Sequence, residues 1–119
     1  MSDRDIRDYI EDIITQISRI EKFVSNITTF EEFQKDEMVV YACIRALEIM
    51  GEAAKQVPDD VRQRYPQIPW RQIAGIRDVL IHAYFGVDER VVWKTITENL
   101  PQDKLILEKI LQESDDDER

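Results

Sequence analysis

Apolar residues recur at steps of three and four along most of this chain, and nowhere do they alternate over the length of a strand. That spacing admits helices and excludes a sheet core. A helix returns to the same face every 3.6 residues, whereas a strand sends successive side chains to opposite faces. Ile6, Ile10, Ile13, Ile17, Ile20 and Val24 form the first stripe, so residues from about 4 to 25 read as one amphipathic helix with Ser2 as a candidate N-cap. Asn26, Ile27, Thr28 and Thr29 interrupt it. Both Thr28/Glu31 and Thr29/Glu32 have the spacing of a capping box for the next helix.

Val39, Cys43, Ala46, Leu47, Met50, Ala53, Ala54 and Val57 continue that second helix to Pro58. Gly51 inside it costs roughly 1 kcal/mol relative to Ala, which close approach of a neighbouring helix would offset. Residues 58–68 hold two prolines, two acids and two arginines, and read as a connector with about one helical turn. Pro69 suits the first position of a third helix, from about 69 to 85, ending near Gly86. Asp88 is the expected N-cap of the last helix. Its stripe Trp93, Ile96, Leu100, Leu107 and Leu111 keeps phase across Pro101, so a kink or brief interruption is expected there. The fold class is all-α: an antiparallel bundle of four main helices plus a short connector turn.

A chain of 119 residues makes one domain, here 1–112, followed by an acidic tail, 113–119, too polar to pack and expected to be disordered. With one cysteine, Cys43, and one histidine, His82, a single chain can assemble neither an internal disulfide nor a structural zinc set. No metal or cofactor is expected. The start of the chain lacks a basic segment leading into an apolar run, and no apolar stretch approaches the ~18 residues of a membrane span. A soluble, cytoplasmic protein with no membrane partner is the expectation.

The net charge of −9 speaks against a polyanionic partner, but its distribution qualifies that. Residues 1–37 carry ten acids and five bases and residues 101–119 seven acids and three bases, whereas residues 38–100 carry eight of each. The neutral middle holds Arg62, Arg64, Arg71, Arg77, Arg90 and Lys94 together with His82. Histidine exchanges protons near neutrality, with an unperturbed pKa of about 6.5, and arginine offers a planar cation matched to phosphate oxygens. The pair Arg77 and His82 thus meets a minimum for chemistry at a phosphodiester.

Helical phase complicates this. At 100° per residue, Arg71, Gly75, Asp78 and His82 share one wedge about 60° wide, while Arg77 and Tyr84 lie together roughly 140–160° away. Loosening of the helix near Gly86, or the reach of Arg77 into a cleft shared with a second subunit, would reconcile the two. Asp78, four residues before His82, is placed to accept its hydrogen bond and fix its tautomer. On spacing alone a lone histidine such as His82 is more often a structural residue than a catalyst, Arg77 could pair with Glu48 or Glu52, and Tyr84, Trp70 and Trp93 read as core residues. Trp70, Ile73, Ala74, Ile76, Val79, Leu80, Ile81, Ala83 and Phe85 leave the third helix almost no polar face. It should be buried on most sides, and a second copy in a homodimer would supply cover that one small bundle lacks.

The residues resemble the HEPN superfamily and, within it, the HepT-like toxins of toxin–antitoxin modules. The resemblance rests on residues 41–55 (Tyr41 to Lys55) as the second-helix signature, on 65–70 as the entry to the motif helix, and on Arg77, four residues, His82, one residue, Tyr84. Val91-Val92-Trp93 and Leu100-Pro101 extend it, over residues 5 to 112 in all. It implies an all-α dimer with the motif helices near the interface and a metal-independent endoribonuclease of a type VII-like system. Arg77 and His82 would be the active-site pair. Tyr84 would be the tyrosine that a nucleotidyltransferase antitoxin adenylylates to silence the toxin. Asp78 occupies a position where members vary. The alternative is a non-catalytic HEPN dimer that binds a nucleotide or docks a nucleotidyltransferase, which accounts better for the acidity.

Overall fold

The computed structural model describes residues 5–83 and 88–117, excepting the side chains of 77, 79, 81–83 and 114–117. Their order is α1 (Ile6–Phe23), α2 (Phe30–Lys35), α3 (Glu37–Lys55), α4 (Asp59–Arg64), α5 (Trp70–Ala83), α6 (Glu89–Lys94), a π-helical turn (Thr95–Asn99) and α7 (Leu100–Asp117). Four long rods, namely α1, α3, α5 and the run from α6 through α7, carry the bundle, with α2 and α4 as short additions.

Local chemistry sets most of the boundaries. Asp5 caps α1, its carboxylate accepting from the Arg7 N–H, in place of the expected Ser2, which lies outside the described residues. Of the two capping-box spacings, Thr29/Glu32 is used: the Thr29 hydroxyl accepts from the Glu32 N–H at 3.1 Å. The Glu32 carboxylate returns not to Thr29 but to Thr28, whose N–H and hydroxyl donate at 3.4 and 3.1 Å. The second helix of the sequence reading is in fact two. Asp36 leaves helical geometry at ψ 84° and accepts from the Val39 N–H at 3.2 Å, so a fresh N-cap starts α3 six residues into the expected helix.

Ile10, Ile13, Ile17 and Ile20 of α1 are completely buried, against Cys43, Leu47 and Met50 of α3 in one core. Burial pushes the Cys43 thiol up to about 12, so this cysteine packs as a small apolar group. Gly51 is buried within α3, which packs on α1 and on α5. Phe33 of α2, also fully buried, meets Trp93 of α6 with ring centroids 5.0 Å apart.

The connector after α3 is stapled to it. Arg62 of α4 donates from Nη2 to the Ala54 carbonyl at 2.8 Å and from Nε to that of Val57 at 3.2 Å, satisfying carbonyls that the end of a helix leaves without partners. Trp70 Nε1 donates to the Tyr65 carbonyl at 3.1 Å and Ile68 is buried beneath. So α5 begins beside the C-terminal end of α3 and, packing along it, runs back antiparallel. Pro69 stands one place earlier than expected: its carbonyl accepts the first helical bond, from Ile73 N–H at 3.0 Å.

Asp88 caps α6 as expected, accepting from the Arg90 N–H at 3.1 Å. The expected interruption near Pro101 is the π turn, in which the Leu100 N–H reaches back five residues to the Thr95 carbonyl. Proline has no N–H to give, and its ring would strike the carbonyl four residues back; one wider turn relieves that conflict without breaking the rod. α7 then continues to Asp117, so the backbone of residues 113–117 is helical where composition predicts disorder. Extending a helix already nucleated on a packed stripe adds one hydrogen bond per residue at little cost.

Candidate functional site

Arg77 and His82 both lie on α5, which is α-helical without interruption from Trp70 to Ala83. Its regular course places the two positions, five residues apart, about 140° apart around the axis, and the expected loosening near Gly86 lies outside the described residues. The side chains of Arg77 and His82, and the whole of Tyr84, fall outside the described residues. Asp78 is exposed and four residues before His82, and its carboxylate makes no hydrogen bond or ion pair among the described residues.

The surroundings of α5 are asymmetric. Trp70, Ile73, Ile76 and Leu80 are buried in the core, and this line faces α3. Arg71 and Asp78 are exposed, and Gln72, Ala74 and Gly75 are half-buried. A methyl group built on Gly75 would meet, among the described residues and beyond its own helix backbone, no atom within 4 Å. Among the described side chains the face through Arg71, Gly75 and Asp78 is the less covered one, because a small bundle can wrap only the side of a helix turned to its neighbours.

The basic residues that the sequence groups near the motif divide by role. Arg62 is committed to the end of α3. Arg64, Arg71 and Lys94 are exposed. Arg90 lies over the ring of Phe30, its guanidinium carbon 4.4 Å from the centroid. Trp70 and Trp93 are packing residues, as the sequence suggests.

Sequence reasoning passed over Asp103. It is 4% exposed, takes the place of an apolar residue between Leu100 and Leu107, and has an Oδ2 with no partner among the described residues. Burial alone raises its pKa from 3.8 to about 6. The signal was present, since 100, 103 and 107 are in helical phase. Next to it, Lys104 binds Glu21 of α1 at 2.6 Å; this hydrogen bond, with the charges of Glu21 and Glu108, holds the Lys104 pKa above its usual value.

An all-helical bundle with an arginine and a histidine on one core-packed helix is the architecture expected of a HEPN protein. A family model described as Ribonuclease HepT-like matches residues 13–110. The chain belongs to the HepT-like ribonuclease family of the HEPN superfamily. It is 51% identical over 107 residues, 90% of this chain and 96% of the relative, to a Thermococcus cleftensis protein named "Probable ribonuclease HepT". It is 42% identical over 113 residues to "Putative RNase MJ1216" of Methanocaldococcus jannaschii, covering 95% of this chain and 93% of that one. "Putative RNase TTE0752" of Caldanaerobacter subterraneus is 42% identical over 106 residues, 89% of this chain and 94% of the relative. No solved structure matches. Among the described residues no helix is long and apolar enough to cross a membrane.

Proposed function

We propose that this protein is a metal-independent endoribonuclease whose site is assembled from Arg77 and His82 at a cleft between two copies of the chain. Membership of a ribonuclease family supplies the reaction class. The observation that carries the composite site is the regular course of α5: with about 140° between the two positions, one straight helix does not aim both residues at one phosphate, and a second copy on the less covered Arg71–Gly75–Asp78 face would complete the cleft.

In this reading the His82 imidazole takes the proton of a ribose 2′-OH as its oxygen attacks the adjacent phosphorus in line. Arg77 binds the non-bridging oxygens as negative charge accumulates on them. The bond from phosphorus to the 5′-oxygen breaks, and the leaving oxygen takes a proton from water or from the second subunit. The products are a 2′,3′-cyclic phosphate and a 5′-OH. Asp78, one helical turn before His82, holds the imidazole tautomer.

The protein acts as the toxin of a type VII-like toxin–antitoxin pair. Its partner nucleotidyltransferase moves AMP from a nucleoside triphosphate to the Tyr84 hydroxyl, with release of pyrophosphate. A phosphate and a base added two residues after His82 compete for Arg77 and block the cleft.

The test is purified protein on total RNA. His82→Ala and Arg77→Ala should each lower cleavage by about 10²–10⁴. Full activity in both variants, or activity abolished by EDTA, refutes the scheme. Light scattering should report a dimer, and a strict monomer at micromolar concentration removes the composite site. Tyr84→Phe should escape silencing by AMP transfer.

A further inference from the structure

We infer that Arg90, stacked on Phe30, is an RNA-contacting residue that holds a substrate phosphate beside the α5 site. The inference rests on the ribonuclease reading for the nature of the ligand, and on the following observations for the residue.

A chain of net charge −9 that handles a polyanion needs cations placed locally, and several of its cations are already engaged. Arg7 binds Glu11, Arg45 binds Glu48, Lys104 binds Glu21, and Arg62 is spent on backbone carbonyls. Arg64, Arg71 and Lys94 are exposed with nothing described to hold their long side chains. Arg90 differs from both groups, being positioned but not neutralised. Its backbone N–H is fixed by the Asp88 cap at 3.1 Å, and its guanidinium lies 4.4 Å from the centre of Phe30. Phe30 is itself set by the Thr29 cap at the start of α2 and packed against the core. Among the described residues the Arg90 guanidinium makes no salt bridge.

Stacking leaves a guanidinium's chemistry open. The aromatic ring occupies one face, while the five N–H groups point outward around the edge, where they match phosphate oxygens two at a time. The second face can take a base, as arginine planes do in contacts to unpaired RNA. Holding the side chain in place before binding also reduces the ordering cost that a free arginine would meet. α6 starts at Glu89, so Asp88 is five residues beyond the end of the motif helix, and chain length alone keeps the two ends within ~18 Å of each other.

The experiment is fluorescence anisotropy of a labelled single-stranded RNA with the full chain and with Arg90→Ala, Arg90→Lys and Phe30→Leu, over a series of salt concentrations. Arg90→Ala should weaken binding about fivefold at low salt and lower the slope of log K against log salt by about 0.7, one phosphate contact on a single strand. Arg90→Lys keeps the charge without the stacked fork and should fall between; Phe30→Leu should weaken binding while leaving the slope nearly unchanged. Melting temperature and light scattering on the same samples check the fold and the oligomeric state. Unchanged affinity and slope in Arg90→Ala overturn the proposal, as does loss of the dimer, which would make Arg90 a subunit contact. Binding that depends on Arg90 in a protein that cleaves nothing keeps this proposal and refutes the nuclease. Absence of any RNA binding by the unaltered chain refutes both.

Discussion

Asp103 gives the sharpest test of the packing. Its carboxyl, 4% exposed between Leu100 and Leu107, has its pKa raised from 3.8 to about 6 by burial. In the folded chain it therefore keeps a proton that the unfolded chain gives up earlier. Below about pH 4 both states are protonated and the residue carries no ionic penalty. As pH rises through about 6 the folded carboxyl must ionise in apolar surroundings, and stability falls. A shift of about two units corresponds to about 3 kcal/mol, lost in full above about pH 7. Asp103→Asn keeps the shape and removes the ionisation, and Asp103→Leu restores the apolar stripe. Both should stabilise the protein at pH 7.5, Asn by less than the full amount because its amide stays without a partner. Urea unfolding at fixed protein concentration is the assay. Between pH 7.5 and pH 5 the stability gap between Asp103→Asn and the unaltered chain should shrink by about 1.4 kcal/mol. Parallel dependence on pH in the two proteins would refute the reasoning and mean that water or a partner group solvates the carboxylate.

Two further outcomes follow from local geometry. Arg62→Ala removes the donors to the Ala54 and Val57 carbonyls and should cost about 1–3 kcal/mol in urea unfolding, with Arg62→Lys recovering part; no change would mean that water serves those carbonyls equally well. Gly75→Ala adds a methyl group that meets no atom of the described residues beyond its own helix backbone and should stabilise the chain by up to about 1 kcal/mol in dilute solution, whereas a loss would show that the space is occupied.

Much of the fold was legible because its determinants are local. The α1 stripe is the core line observed, Thr29 and Asp88 are the caps used, and Pro101 does disturb its helix. The misses are of two kinds. Asp36 splits a helix because an aspartate three residues before an apolar stripe serves equally as interior residue and as N-cap, and periodicity does not separate those roles. The helical extension to Asp117 reflects propagation from a packed helix, which composition ignores. For the candidate site, the order Arg77, His82, Tyr84 was legible as a motif, and so was the angular mismatch between 77 and 82. The fate of the neighbouring cations was not.

What the sequence determined alone is the helical class, the main boundaries and the motif that leads to the HepT-like family, since each depends on residues a few positions apart on one chain segment. Only the tertiary structure decided which arginine is spent on a helix end and which is held over a ring. Phe30 and Arg90 are 60 positions apart, and Glu21 and Lys104 are 83 apart. It also decided that Asp103 is walled off from water and that one face of the motif helix is less covered than the other. Burial and long-range pairing are properties of how helices meet, and the spacing of residues along one helix does not contain them.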